Sequence, residues 1–202
     1  METITVTIRL MTEMLGTVPK DREIYTTYIE SKRIAGDDVE SETVIEDLEE
    51  KGWTGFHSDE KGLFVYDYFI KGFFKHAGNV LKDSLKTKAL RSKLSDFFFV
   101  FPRRIYLGKT EPDGTIERPL RAQTAQGPRV SLARSDFMAA GTEITFDIKL
   151  VGHKEITMEV LDTLLEYGQL QGLGQFRNGG YGRFEVVSVC DGSVPSRRVS
   201  YR

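Results

Sequence analysis

Hydrophobic and polar positions alternate strictly over residues 3–11, with Ile4, Val6, Ile8 and Leu10 on one face and Thr3, Thr5, Thr7 and Arg9 on the other. A period of two predicts a strand with one buried face. Residues 142–150 repeat the pattern with Ile144, Phe146, Ile148 and Leu150 inward. Between them the period changes: Ile70, Phe73, Phe74, Ala77 and Leu81 recur at helical spacing and predict a helix over 68–82, with Asp67 as its N-cap. A second helix is predicted over 157–167, capped by Thr157 and stopped by Gly168. Residues 97–101 are apolar at every position, which predicts a strand covered on both faces and a core role for Phe97, Phe98 and Phe99 rather than a stacking platform. A last strand is predicted over 183–190.

Reduced to these elements the order is strand, helix, strand, strand, helix, strand. That is the α+β, ferredoxin-like arrangement, also the plan of the RNA-recognition motif: a four-stranded antiparallel sheet backed by two helices. Two insertions interrupt it within a single domain spanning 1–202. Residues 17–62 read as an acidic helical insertion after strand 1, with short helices at 23–34 and 41–50 docked through Ile24, Tyr28, Ile45, Leu48 and Trp53. Residues 103–134 read as a basic β-hairpin arm between strands 2 and 3. In it, 103–109 and 115–121 flank the turn signal Glu111-Pro112-Asp113-Gly114, and a second pair bends at Gln126-Gly127-Pro128. Residues 191–202 read as a flexible tail.

Charge changes this picture more than composition does. A hydrophobic content of 40% suffices for one core. The formal net charge of −2 conceals a polarity: residues 1–60 carry 6 Lys/Arg against 15 Asp/Glu, whereas 61–134 carry 15 against 6. Only local charge is felt beyond a Debye length of about 8 Å, so the basic half can meet phosphate despite the overall balance. The lone Cys190 excludes an internal disulfide, and with no signal peptide, spanning segment or lipidation motif the chain is expected to be soluble, cytoplasmic and independent of membranes. His57, His76 and His153 stand apart, none beside a second ligand at metal spacing, so neither a metal site nor a cofactor is expected.

The candidate chemistry lies between Glu166 and Glu185, where no acidic residue occurs. Gly172, Gly174, Gly179, Gly180 and Gly182 free the backbone, and Arg177 and Arg183 supply guanidinium forks for phosphate. Phe176 and Tyr181 offer stacking faces, and Gln171, Gln175 and Asn178 add hydrogen-bonding amides. A Walker loop needs Gly-Lys-Ser/Thr opening a helix, and none follows. The dinucleotide fingerprint fails as well, with Arg177 where its third glycine belongs and a loop running from helix to strand. The competing reading is an exposed, glycine-rich connector. Further basic candidates are Lys71 and Lys75 on the first helix and Arg103, Arg104, Arg121 and Arg129 in the arm; the default role of such helix lysines is a solvated face.

With these residues in view the chain resembles the RAMP superfamily of CRISPR proteins, and most of all the backbone subunits that line guide RNA in multisubunit effector complexes. Three features carry the likeness. The run Gly172-Leu173-Gly174-Gln175-Phe176-Arg177-Asn178-Gly179-Gly180-Tyr181-Gly182-Arg183-Phe184 is similar to the family's signature glycine loop, Ile70-Lys71-Gly72-Phe73-Phe74-Lys75 to its first-helix opening, and the two insertions to those of backbone subunits. The chain departs from the family at Tyr68-Phe69, where a Pro and a Ser pair is usual. None of Asp37, Asp38 and Asp59 stands in a motif for the aspartate with which some type III backbone subunits cut target RNA, so no catalytic residue is assigned. The resemblance implies a cofactor-free binder of single-stranded RNA, guide or CRISPR RNA, with other CRISPR-complex subunits and head-to-tail copies of itself as partners. Two rival readings stay open: a phage-encoded subunit mimic that blocks a host CRISPR complex, and a metal-independent RNA-processing ribonuclease with a histidine as general base.

Overall fold

The computed structural model describes residues 2–20, 53–124, 127–191 and 197–198. The helices predicted at 23–34 and 41–50, with Ile24, Tyr28, Ile45 and Leu48, lie outside the described residues. The chain opens with β1 (Glu2–Leu10), β2 (Met14–Leu15) and β3 (Val18–Pro19), then continues with β4 (Trp53–Gly55), β5 (His57–Asp59) and β6 (Gly62–Tyr66). Next come α1 (Asp67–Leu81), α2 (Leu90–Phe97), β7 (Phe98–Phe101) and β8 (Arg104–Tyr106). The long strands β9 (Gly114–Thr124) and β10 (Gly127–Met138) precede β11 (Glu143–Leu150), α3 (Met158–Glu166), the one-turn α4 (Gly168–Gln171), β12 (Phe184–Asp191) and β13 (Arg197–Arg198).

The fold is α+β with antiparallel sheets backed by helices. The principal sheet has the order β13-β12-β1-β11-β7, every pairing antiparallel. Register places Ile4 opposite Ile148 and Ile8 opposite Ile144, which keeps both hydrophobic rows on one face. That face receives α1 and α3. Phe74, Phe98, Phe146 and Phe184 are fully buried between sheet and helices, and each contributes about 1.5–3 kcal/mol relative to exposure. The opposite face is polar, with Thr5 donating to Asp147 (2.7 Å) and Arg9 bridging Glu143 and Glu185.

Two smaller sheets flank this one. Strand β10 pairs with β2, with β9 and, in parallel, with β4, whose other edge takes β3. Strands β5, β6 and β8 form an antiparallel sheet of their own, β5 and β6 joined by the turn at Glu60-Lys61.

Several expectations need correction. Residues 53–62, read as part of a helical insertion, are strand at β4 and β5, and Trp53 is exposed rather than docked in the core. The strand at 97–101 is not covered on both faces: Phe98 and Val100 are buried, but Phe99 and Phe101 are 38% and 42% exposed beneath the ammonium groups of Lys71 and Lys149. A lysine stem can shelter a ring at the sheet edge, so an all-apolar run does not require two covered faces. The N-cap of α1 is Tyr66; Asp67 begins the helix and accepts hydrogen bonds from the Tyr68 N–H and the Arg103 guanidinium. Helix α2 was missed because only Leu90 and Leu94 of its eight residues are buried, too few to show a period. Arg197 and Arg198, within the expected tail, pair with β12.

The arm also has a different register. Residues 104–106 pair with β6, and the hairpin is β9 with β10, in register from Gly114↔Phe137 to Thr124↔Gly127. The Glu111-Pro112-Asp113-Gly114 turn signal therefore lies at the hairpin's base and not at its tip. Asp113 fastens that base by accepting from the Ala139 N–H (2.8 Å) and the Lys109 ammonium (2.6 Å). The Ala139 hydrogen bond first, then Lys109, lowers its pKa below the ordinary carboxylate range. A lowered folded pKa gives stability that is full above about pH 5 and is lost as pH falls through the folded value. Thermal midpoints measured down the acid limb should accordingly fall, and Asp113→Asn should flatten that limb; an unchanged acid profile would contradict the assignment.

Candidate functional site

Gly168 to Phe184 forms a packed bridge between α3 and β12. Gly168 has no room for a side chain, since a Cβ there would meet the Phe184 ring at 2.0 Å. Gly172, Gly174, Gly180 and Gly182 all have positive φ, and Phe176 adopts the left-handed region at φ 52°. Arg177–Gly179 make a single 3-10 turn closed by Gly179 N–H to Phe176 O and Gly180 N–H to Arg177 O.

The segment following β1 holds the loop in place. Gly182 N–H donates to Glu13 O (2.7 Å), Met11 N–H to Arg183 O (2.7 Å), and the Thr12 hydroxyl to Gly180 O (2.9 Å). The Arg183 N–H returns a bond to the same Thr12 hydroxyl at 3.0 Å. Within the loop Leu173 N–H bonds Gly182 O, drawing its two ends together. Gly174 lies so close to Leu15 O that a Cβ would stand 2.5 Å from it.

This packing corrects the expectation of an exposed loop. Leu173 is buried, and Gln175 is only 1% exposed. The Gln175 Oε1 accepts from the hydroxyls of Thr54 (3.0 Å) and Ser135 (3.2 Å), and those two hydroxyls are 2.8 Å apart. Arg118, also buried, comes within 3.4 Å of both Ser135 Oγ and Gln175 Oε1 and stacks over the Phe176 ring at 4.8 Å. The Gln175 Oε1 is thereby satisfied, whereas its Nε2 has no hydrogen-bond partner among the described residues, and an unsatisfied buried polar group costs about 1–3 kcal/mol. The loop is thus fixed between the exit of β1 on one side and strands β4, β9 and β10 on the other. Thr12, Thr54, Arg118 and Ser135 join the site as positioning residues, and only their three-dimensional pairing reveals them.

The loop's outer surface is made of Phe176, 39% exposed and 5.8 Å from Tyr181, with Asn178, Gly179 and Arg183 exposed beside it and Arg177 half-buried. An aromatic face, two guanidinium groups and an amide thus stand on a backbone with little freedom to move.

The other basic candidates are distributed over separate elements. Lys71, half-buried on α1, donates to Ser95 O (2.8 Å) and lies over Phe99, so it seams α1 to α2; Lys75 is half-buried one turn later. Arg103 pairs with Asp67 (2.6 Å) and Arg104 with Asp59 (2.7 Å), both beside the β5-β6-β8 sheet. Burial alone would raise the Asp59 pKa, but the Lys61 N–H, the Tyr106 hydroxyl and Arg104 outweigh it and hold the carboxyl ionised, below its ordinary range. Arg121 and Arg129 lie on the distal half of the β9–β10 hairpin, opposite Val130 and Ala122. Arg134, nearer the base, pairs with Glu117 and lies over Trp53. Three of the arm's arginines therefore have counter-charges, two from carboxylates outside the arm and one from Glu117 within it, which the arginine count conceals.

Among the described residues no three His, Cys, Asp or Glu side chains come together as a metal site, and no helix is long and apolar enough to cross a membrane.

No protein-family model and no curated protein matches the chain. Among solved structures it is similar to a chain of the cryo-EM structure of the Type III-B Cmr-beta bound to cognate target RNA, at 14% sequence identity and a TM-score of 0.53. The match covers 94% of this chain and 60% of that one, so this chain spans about three fifths of its neighbour's length. At such identity the likeness is one of architecture: this chain shares with a chain of a Type III-B Cmr-beta complex an α+β fold built on antiparallel sheets.

Proposed function

We propose that this chain is a RAMP-type RNA-binding protein that holds the backbone of a single-stranded RNA, a guide or CRISPR RNA, in or alongside a CRISPR ribonucleoprotein. The observation that carries the reading is the glycine loop, held by the exit of β1 while Phe176, Asn178 and Arg183 face solvent. A fixed loop presenting guanidinium groups suits phosphate contacts that cost little reorganisation on binding. The strand order β12-β1-β11-β7, with α1 and α3 over the buried face, supports reading the principal sheet as ferredoxin-like and the chain as one RAMP-like domain, with β9–β10 as the thumb between its second and third strands. Likeness of fold to a chain from a complex bound to target RNA favours the same reading. Other CRISPR-complex subunits and head-to-tail copies of this chain are the protein partners it implies.

Phosphate contacts position RNA without reading its sequence, so affinity should fall steeply with salt. Arg177→Ala combined with Arg183→Ala is expected to weaken single-stranded RNA binding by roughly tenfold and to reduce the salt slope by about 1.4, since each lost phosphate contact removes about 0.7. Thermal stability should hardly change. Fluorescence anisotropy across a salt series reads both quantities. A folded wild-type protein that binds no RNA at low salt would overturn the proposal in favour of the subunit mimic. Unchanged RNA affinity in the double variant would reduce the loop to a connector.

A further inference from the structure

Strand alternation in the β5-β6-β8 sheet sends Leu63, Val65, Ile105 and Leu107 into the core. The outward positions are then expected to be polar, as on any half-exposed antiparallel sheet. Instead they hold a series of rings, of which Phe64 is itself covered while His57, Tyr66 and Tyr106 are half-buried. His57 stacks on Phe64 at 5.4 Å and meets Tyr66 edge-on at 4.7 Å, while Phe64 meets Tyr106 at 5.8 Å. Tyr66 continues the series onto Tyr68 at the start of α1, the two rings 5.4 Å apart and only 23° from parallel.

Arginine planes lie over these rings. Arg103 stands 4.9 Å from the Tyr66 centroid and 5.4 Å from that of Tyr68, and Arg104 stands 5.1 Å from Phe64. Their side chains are 62% and 51% exposed, whereas their carboxylate partners Asp67 and Asp59 are more sheltered. The positive groups thus form the outer layer. With Lys61 over Tyr106, three cations lie over the rings. The face presents no aliphatic anchor, and an outer layer of cations favours a polyanion.

We infer that this aromatic and arginine face stacks the unpaired bases of single-stranded RNA, as a surface separate from the glycine loop. The inference rests on the proposed RNA-binding function and adds a division of labour to it. The loop holds phosphate, and the β5-β6-β8 face holds bases through ring and guanidinium planes. Because Asp59 and Asp67 neutralise most of its charge, this face contributes base dependence and little salt dependence.

The test compares binding of an oligoadenylate RNA with that of the same phosphodiester strand carrying abasic ribose. Wild-type protein is expected to prefer the oligoadenylate by about tenfold or more. Tyr66→Ala combined with Tyr68→Ala should abolish the preference, and Tyr66→Phe combined with Tyr68→Phe should keep it. Arg177→Ala with Arg183→Ala should weaken both strands by the same factor and leave their ratio intact. Photo-crosslinking of the wild-type protein to 5-iodouridine RNA, which needs no variant to fold, should give adducts on His57, Tyr66 or Tyr68. Equal wild-type affinity for both strands, or adducts confined to the glycine loop, would overturn this inference while leaving the RNA-binding function standing. Failure of the wild-type protein to bind either strand would overturn both, and a protein partner seated on these rings would then be the surviving explanation.

Discussion

Gly182→Val is expected to lower the thermal midpoint by roughly 10 °C. The residue sits at φ +72°, where a β-branched side chain costs about 1–3 kcal/mol. Its Cβ would also stand 1.8 Å from Leu173 O and 2.7 Å from Leu173 C, both backbone atoms that no rotamer change can move. Relief requires the loop to part, which breaks Leu173 N–H to Gly182 O and Gly182 N–H to Glu13 O, each worth about 0.5–1.5 kcal/mol. The total is about 4 kcal/mol, and in a domain of this size each kcal/mol shifts the midpoint by about 2–4 °C. Gly180 provides the contrast. It too has positive φ, but its Cβ would meet nothing nearer than the mobile Arg183 side chain at 3.7 Å, so Gly180→Ala should cost only about 1–2 kcal/mol. Scanning calorimetry on the two variants decides the matter, and equal midpoints would mean that Leu173 does not lie against Gly182.

Asp136→Ala should cost about 3 kcal/mol. Its side chain is 3% exposed and accepts from the Trp53 indole N–H (2.8 Å) and the Thr115 hydroxyl (3.0 Å), while Lys20 approaches to 2.5 Å. One carboxylate thereby joins β3, β4, β9 and β10 at the foot of the hairpin. The Lys20 ammonium is 43% exposed and rehydrates once released. The loss therefore falls mainly on the two neutral donors, at about 1–3 kcal/mol for each that stays unpaired. Asp136→Asn keeps an acceptor for Trp53 and Thr115 but removes the charge facing Lys20, and should cost nearer 1 kcal/mol. Trp53 is the chain's single tryptophan and lies between Lys20 at 4.3 Å and Arg134 at 5.1 Å, so its emission reports the junction directly. Urea melts followed by that emission should show both losses. If Asp136→Ala left the midpoint within error, the carboxylate would be incidental to the junction.

Strict alternation made β1 and β11 legible, and helical spacing with apolar residues made α1 and α3 legible, because those elements bury one face each against a common core. Turn chemistry was less reliable. Glu111-Pro112-Asp113-Gly114 has the composition of a hairpin tip, yet Asp113 anchors a hairpin base through Lys109, 4 residues before it, and through Ala139, 26 residues beyond it. The glycine loop was visible as a run of residue types, but its rigidity was not, since Gln175 is held by Thr54 and Ser135, separated from it by 121 and 40 residues. The ring series at His57, Phe64, Tyr66 and Tyr106 was hidden for a similar reason. Its members come from three strands whose pairing is set by register and not by any local pattern.

Strand β1 pairs with β11 on one side and β12 on the other, so it is translated well before both of the strands it lies between. Ile4 finds Ile148 on one flank and Asp191 on the other. Contacts of such sequence separation cannot close before β11 and β12 have been made, and loop-closure entropy makes them slow even afterwards. Until then the first strand must wait with Ile4, Val6 and Ile8 uncovered and both its hydrogen-bonding edges open. Productive assembly of this fold accordingly waits for the synthesis of β12, and its most aggregation-prone moment is the interval between synthesis of β1 and arrival of β12.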